Sequence, residues 1–99
     1  MIVVNAIVKS KQDDIAALKD AIAVMETASR AEAGCEDYTF SVELSDPDAL
    51  RITEKWTTVE ALQAHFATPH MAEFQAAMAQ LSAPSVEVKF YEVKEIQPF

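Results

Sequence analysis

The chain has 99 residues, of which 51% are hydrophobic and 24% are charged, a composition typical of a globular domain rather than a disordered segment. Sixteen acidic against eight basic residues give a formal net charge of −8 at pH 7, so a nucleic acid or an anionic membrane surface would on average repel it. We therefore predict a single domain over residues 1–99 that binds neither nucleic acid nor membrane.

The cysteine content and the N-terminal residues bear on the compartment. Cys35 is the only cysteine, which excludes an intrachain disulfide and a multi-cysteine metal site. The first nine residues show no basic leader and no small-residue cleavage site, and no apolar run approaches the roughly 18 residues of a membrane-spanning helix. These features predict a cytoplasmic protein.

The first predicted elements are a strand over residues 2–9 and a helix over residues 12–33. The strand has apolar side chains on both faces: Ile2, Val4, Ala6 and Val8 on one, and Val3 and Ile7 on the other, interrupted by Asn5. The helix has an apolar stripe at spacings of three and four, and Ser10 and Asp13 can supply its N-terminal capping. Gly34, the only glycine, is placed to adopt a positive φ and end this helix.

Two further strands are predicted over residues 35–44 and 50–56, joined by turn residues 45–48. In the second of them, one face carries Leu50, Ile52, Glu54 and Trp56. Glu54 is the exception on this apolar face, because a carboxylate there must find a hydrogen-bond donor. The indole N–H of Trp56 or the ring of His65 could be that donor.

Two helical segments follow. Thr57 and Glu60 match a capping box, and Thr68 before Pro69 repeats the start signal, so the helical region is broken near residue 67 and continues to about residue 81. A last strand is predicted over residues 85–96. Its apolar residues change face near Phe90, which predicts a bulge there or at the next residue, Tyr91.

The order β-α-β-β-α-β predicts an α+β, ferredoxin-like domain with a four-stranded antiparallel sheet and the helices on one face. The other sheet face is then open. Because the first and last strands are apolar on both faces, we predict a homodimer that packs sheet against sheet into a barrel-like core.

The candidate site residues lie around the third strand and the helices after it. His65 and His70 are five apart, which places them about 140° apart on one helix and is not the spacing of a two-histidine metal face. With no second carboxylate motif to complete a site, no metal is predicted. Asn5, Trp56 and His65 are predicted to point into one cavity between sheet and helices, with His70 at its rim or outside; a plain core-edge histidine is the alternative for His65.

At these residues the chain resembles the antibiotic biosynthesis monooxygenase family, and in particular its small bacterial quinol monooxygenase branch. The resemblance is carried by residues 34–38 (Gly-Cys-Glu-Asp-Tyr), 54–56 (Glu-Lys-Trp) and 64–71 (Ala-His-Phe-Ala-Thr-Pro-His-Met). It implies a dimeric α+β barrel whose members oxidise phenols or quinols with O₂ and use no metal or flavin cofactor. Asn5, Trp56 and His65 are the implied catalytic positions, and Tyr38 and Glu54 are implied pocket residues. Phe66, His70 and Phe74 are further candidates for substrate binding.

Other members of that family imply other activities. Haem-degrading members share an inward asparagine, which Asn5 matches, but His65 stands where their helix tryptophan is expected. Relatives that isomerise phosphorylated ketoses would need a basic pocket, and Arg30 and Arg51 are the only arginines. The leading hypothesis is therefore a cofactor-independent monooxygenase acting on a small aromatic substrate; the alternative is a non-catalytic, dimeric ligand-binding or stress-response module.

Overall fold

The computed structural model describes residues 1–99 and contains four strands and four helices. The strands are β1 (Ile2–Lys9), β2 (Cys35–Glu43), β3 (Asp46–Trp56) and β4 (Ser85–Glu92), and the helices are α1 (Gln12–Ala17), α2 (Lys19–Arg30), α3 (Val59–Phe66) and α4 (Pro69–Met78). The sheet order is β2-β3-β1-β4, with every neighbouring pair antiparallel. This arrangement confirms the predicted ferredoxin-like α+β fold.

The core lies between the helices and one face of the sheet. That face of β1 contributes four buried side chains, Ile2, Val4, Ala6 and Val8, as its period of two predicts. From β3 come Leu50, Ile52, Glu54 and Trp56, all buried. The helices add Ile15, Leu18, Met25, Leu62 and Phe74. The buried residues are therefore apolar except for Ser29, Glu54 and His65, and Glu54 carries the only buried carboxylate.

The first helical region differs from its prediction, because it is divided at Leu18 and ends at Arg30 rather than at residue 33. The Leu18 N–H bonds to the carbonyl of Ile15, which tightens the turn between α1 and α2. Both Leu18 and Ile15 are then buried with Val8 of β1. The packing of these side chains on the sheet thus divides a helix that the apolar stripe of residues 12–33 predicted to be continuous.

The predicted turn over residues 45–48 is also displaced. Glu43 pairs with Asp46, so the turn consists of residues 44 and 45 alone, and β3 begins earlier than predicted. The register shifts between Val42, opposite Leu50, and Glu43, opposite Asp46, so residues 47–49 of β3 have no partner on β2.

The prediction of a bulge in β4 is wrong. The register with β1 runs without a shift from Ile2 opposite Glu92 to Lys9 opposite Ser85, and the strand ends at Glu92. Val88 and Phe90 lie opposite Ala6 and Val4, on the helix face of the sheet. They are nevertheless 43% and 54% exposed, because β4 is an edge strand that the helices leave uncovered.

The open sheet face is more polar than the sequence suggested. Val3 and Ile7 are half-buried there, but most of their neighbours are polar or charged: Asn5, Arg51, Thr53, Lys55, Glu87 and Lys89. The apolar residues of β4 lie mainly on the other side, so the prediction of an extensive apolar patch on the open face is wrong. No helix in the chain is long and apolar enough to cross a membrane.

Candidate functional site

A cavity of about 310 Å³ lies on the helix face of the sheet, between α4 and the uncovered strand β4. Thirteen of its fifteen lining residues are hydrophobic. The walls are formed by Val4, Ala6, Val8, Met25, Tyr38, Ile52, Glu54, Phe66, Met71, Phe74, Gln75, Met78, Val86, Val88 and Phe90. The cavity wall is therefore mostly apolar, and its two titratable groups are Glu54 and Tyr38.

Glu54 is the titratable group in this wall whose pKa lies near neutrality. Its residue is only 7% exposed, and burial raises the pKa of the carboxyl from 4.5 to about 7, against the lowering effect of a hydrogen bond from Trp56. The nearby charge of Glu32 raises it further. At neutral pH the carboxyl is therefore divided between its two protonation states, as a proton acceptor for a weak acid requires.

Trp56 orients that carboxyl. Its indole Nε1–H donates to Oε1 of Glu54 over 2.9 Å, and its side chain is fully buried. The two residues share a strand face because they are two apart on β3, which confirms the alternation read from the sequence. Only Oε1 takes part in this hydrogen bond, which leaves the other oxygen able to accept a further one.

Tyr38 lies opposite Glu54 on β2 and completes this part of the wall. Burial first, and then the charge of Glu54, raise the pKa of its phenol well above the ordinary range. Its hydroxyl therefore stays protonated at physiological pH and can act as a hydrogen-bond donor. Burial also raises the pKa of the Cys35 thiol to about 11, so this cysteine is not a thiolate nucleophile at neutral pH.

His65 is fully buried but does not line the cavity. Its ring lies 4.9 Å from the ring of Trp56 and 5.2 Å from that of Tyr38, between centroids, and so supports the wall from behind. Its Nδ1 is 2.7 Å from Oε2 of Glu32. The same carboxylate oxygen is 2.8 Å from Nε2 of His70.

Glu32 is the functional candidate that sequence reasoning missed. The residue lies in the turn after α2, 33 positions before His65 and 38 before His70, so no local spacing reveals the cluster. The spacing argument against a metal considered the two histidines on one helix. They lie on α3 and α4, and the break between these helices brings both rings to one carboxylate.

The local sequence explains how the break forms. Thr58, rather than the predicted Thr57, caps α3 by accepting from the N–H of Ala61. Thr68 caps α4 as predicted, accepting from the N–H of Met71, with Pro69 at the first helical position. The Thr68 hydroxyl also donates to the carbonyl of His65 over 2.7 Å, which ties the end of α3 to the start of α4.

The prediction that Asn5 shares the cavity with Trp56 and His65 is wrong. Asn5 is exposed and pairs with Thr53 and Lys89, whose side chains lie on the open face of the sheet. The physical reason is the period of two, which sends Asn5 to the face opposite that of Val4.

The remaining predicted site residues divide between two places. Phe66 and Phe74 line the cavity with Tyr38 and Glu54. His70 lies outside it, as the rim-or-outside prediction stated, and contacts Glu32 instead. The structure thus separates the residues into an apolar cavity with a carboxyl and a cluster of one carboxylate and two imidazoles.

Comparison with known proteins gives the same family as the sequence motifs. The model of the family described as antibiotic biosynthesis monooxygenase matches residues 1–77. An uncharacterized protein from Synechocystis sp. is 33% identical over 99 residues, which cover 97% of this chain and 65% of the relative. The chain therefore spans slightly less than two thirds of the length of that curated relative.

Solved structures show the same fold. A candidate antibiotic biosynthesis monooxygenase from Deinococcus radiodurans is similar with a TM-score of 0.88 and 25% identity, covering 100% of this chain and 98% of that one. A corresponding candidate from Nitrosomonas europaea has a TM-score of 0.87 and 22% identity, covering 94% of this chain and 98% of that one.

Proposed function

Because the chain belongs to the antibiotic biosynthesis monooxygenase family, we propose that it oxidises a small phenol or quinol with O₂ in the apolar cavity beside Glu54. The observation that carries this proposal is the position of Glu54, a carboxyl with a pKa of about 7 in a wall that is otherwise almost entirely apolar. A group of that kind is suited to accept a proton from a bound hydroxyl.

The proposed reaction starts with transfer of the substrate's phenolic proton to Glu54. The resulting phenolate gives one electron to O₂, and the radical pair combines at a ring carbon that carries hydrogen. The peroxide anion formed there takes the proton back from Glu54, and the resulting hydroperoxide loses water, which leaves a second carbonyl on the ring. One phenol and one O₂ thus give one quinone and one water.

The raised pKa of Glu54 lowers the cost of the first step. A phenol of pKa about 10 is roughly 3 units above this carboxyl, equivalent to about 4 kcal/mol, whereas an ordinary glutamate would face about 8 kcal/mol. The proton transfer also leaves the net charge of the cavity unchanged, because the negative charge moves from the carboxylate to the phenolate. An apolar wall tolerates such a shift better than the creation of a new charge.

The size of the cavity favours a small ring. Its volume of about 310 Å³ is near the lower end of the ~300–1,000 Å³ found for small-molecule sites. Phe66, Phe74 and Phe90 offer aromatic edges and faces to a flat substrate. In this proposal the base is Glu54 and not His65, one of the catalytic positions implied by the resemblance, since His65 bonds to Glu32 and does not reach the cavity surface.

The proposal includes a homodimer formed through the open face of the sheet. Half-buried Val3 and Ile7 and the exposed ring of Tyr91 supply its apolar contacts. A partner there would also cover ion pairs such as Glu87–Lys89, which lie on the same face. The interface is therefore expected to be mixed rather than purely hydrophobic.

Oxygen uptake tests the proposal. The full chain is incubated with a panel of naphthols and quinols, and O₂ consumption and quinone formation are measured together. We expect the parent and Glu60→Gln, an exposed control on α3, to consume one O₂ per quinone. Glu54→Gln is expected to lose at least about 100-fold in kcat/KM, the usual contribution of a general base.

The same panel addresses the alternative function. Saturable binding of these rings without O₂ uptake above background would favour the non-catalytic ligand-binding module. Equal rates for the parent and Glu54→Gln would contradict the assignment of Glu54 as the base.

A further inference from the structure

We propose that Glu32, His65 and His70 form a divalent-cation site of the zinc type, separate from the cavity. The three side chains come from the turn after α2, the last turn of α3 and the first turn of α4. Their donor atoms are a carboxylate oxygen, Nδ1 of His65 and Nε2 of His70, all within 4.8 Å of one another. None of the three residues lines the cavity, so the inference does not depend on the proposed oxidation.

The spacing of the donors fits a tetrahedral ion after a small adjustment. Zinc binds imidazole nitrogen and carboxylate oxygen at about 2.0–2.2 Å, which sets neighbouring ligand atoms roughly 3.3 Å apart. Oε2 of Glu32 is now 2.7 Å from one nitrogen and 2.8 Å from the other. If the carboxylate oxygen and the two nitrogens each separate by about half an ångström, which side-chain torsions allow, the space between them accommodates the ion.

The chemistry of the donors selects the ion. Two imidazoles and one carboxylate suit zinc and similar first-row metals, whereas magnesium and calcium prefer oxygen ligands alone. The carboxylate supplies one negative charge against the two positive charges of the ion, and the chain as a whole carries −8. This excess of negative charge attracts cations.

The cluster is held in place before any ion arrives. The His65 ring is fully buried beside Trp56 and Tyr38, and its carbonyl accepts from Thr68. The side chains of His70 and Glu32 are 16% and 14% exposed, which provides a route for the ion and a position for a water as fourth ligand.

The surroundings of His65 set the expected affinity. A ligating histidine usually donates its other N–H to an acceptor, and loss of such a partner typically weakens binding about 10–100-fold. Nε2 of His65 is buried and has no partner. We therefore expect dissociation constants on the order of micromolar rather than the much tighter values of structural zinc sites.

Metal binding should also exchange the tautomers of both rings. The present contacts to Glu32 require a proton on Nδ1 of a neutral His65 and on Nε2 of a neutral His70. These are the atoms that would bind the ion, so each proton must move to the other ring nitrogen. Since the chain has only two histidines, ¹⁵N spectra of the rings can follow both exchanges without ambiguity.

The test uses the full chain, free of any affinity tag and treated with a chelator, titrated with Zn²⁺ and separately with Co²⁺. We expect one ion per chain, Co²⁺ absorption of tetrahedral intensity and the paired tautomer exchange. His70→Gln and Glu32→Gln should each weaken binding at least 10-fold. Both substitutions keep a polar side chain, so we expect the fold to be retained, and circular dichroism checks this. The controls Glu36→Gln, an exposed neighbouring acid, and Cys35→Ser should bind as the parent does.

Two results would overturn the inference. One is Zn²⁺ binding weaker than millimolar in the parent, which would leave Glu32 as a hydrogen-bond bridge between two histidines. The other is unchanged binding in folded His70→Gln and Glu32→Gln, which would place the ion elsewhere.

Discussion

Trp56 donates its indole N–H to Oε1 of Glu54 over 2.9 Å, from a position two residues further along the same face of β3. The tryptophan is fully buried and the glutamate nearly so. This pair therefore places a carboxyl of pKa about 7 at the cavity wall and holds one of its two oxygens in a hydrogen bond. The stability of the fold and the proposed activity should therefore both depend on whether the Glu54 carboxyl is protonated.

Replacing Glu54 by Gln should change how stability depends on pH. A pKa of about 7 in the folded chain against 4.5 unfolded means that the folded state holds its proton more tightly, so stability is fully present below pH 4.5 and falls as pH rises toward 7. The loss is on the order of 3 kcal/mol. Glutamine keeps an acceptor for Trp56 but does not titrate, so Glu54→Gln should lack this fall and be more stable than the parent above pH 7.

Urea unfolding measured across this pH range checks that prediction. Glu60→Gln removes an exposed carboxyl of the same type and should keep the slope of the parent. The opposite result would be a parent that becomes more stable between pH 4.5 and pH 7 while Glu54→Gln does not. It would show that the Glu54 carboxyl is ionised and stabilised in the fold.

Replacing Trp56 by Phe should raise the pKa of Glu54 further. The indole hydrogen bond lowers that pKa in the parent, and phenylalanine has no N–H to replace it. Carbon-13 spectra of the Glu54 carboxyl should therefore show a midpoint above that of the parent. In the proposed reaction the rise of kcat/KM with pH should shift upward by the same amount, whereas a downward shift would contradict the role of the indole.

The alternation of residues 50–56 was sufficient to find this pair. Trp56 and Glu54 fall on the face of Ile52, and a carboxylate on an apolar face needs a donor, so sequence reasoning could name both partners. The same rule, applied consistently, would have excluded Asn5, which falls on the face opposite that of Val4. That error lay in the assignment of the face and not in the pattern.

Other features depend on contacts that no local pattern encodes. The division of the first helix at Leu18 depends on packing against Val8 of β1. The meeting of His65 and His70 depends on Glu32, which lies more than 30 residues away. Helical propensity and spacing operate over a few residues, so neither could predict them.

A substitution on the open sheet face should dissociate the proposed homodimer. Ile7 is half-buried there, and a charge in its place would be taken out of water when the two sheets pack together. Analytical ultracentrifugation should show a dimer for the parent and a monomer for Ile7→Glu. Val24→Glu, on α2 and already 53% exposed, should remain dimeric, and a parent that sediments as a monomer at micromolar concentration would rule out the interface.

A side chain at Gly34 should destabilise the fold and disturb the histidine cluster together. Its φ is +84°, as predicted, although the residue lies four positions beyond the end of α2 and closes the turn before β2. A Cβ there would lie 2.6 Å from Cβ of Ala61 and 2.8 Å from Oγ1 of Thr57, at the start of α3. Backbone strain of about 1 kcal/mol and overpacking of about 1–3 kcal/mol predict a loss of roughly 2–4 kcal/mol for Gly34→Val, and a smaller one for Gly34→Ala.

A side chain at Gly34 that displaces Ala61 should also shift His65, because Ala61 is one turn before His65 on the same helix. Urea unfolding measures the loss, and ring ¹⁵N spectra of Gly34→Ala should show a weakened contact between His65 and Glu32. The control is Ala33→Val at the exposed neighbouring position, where we expect a change within about 0.5 kcal/mol. Equal stability of Gly34→Val and the parent would mean that α3 does not pack against this turn in solution, and the cluster built on that contact would lose its basis.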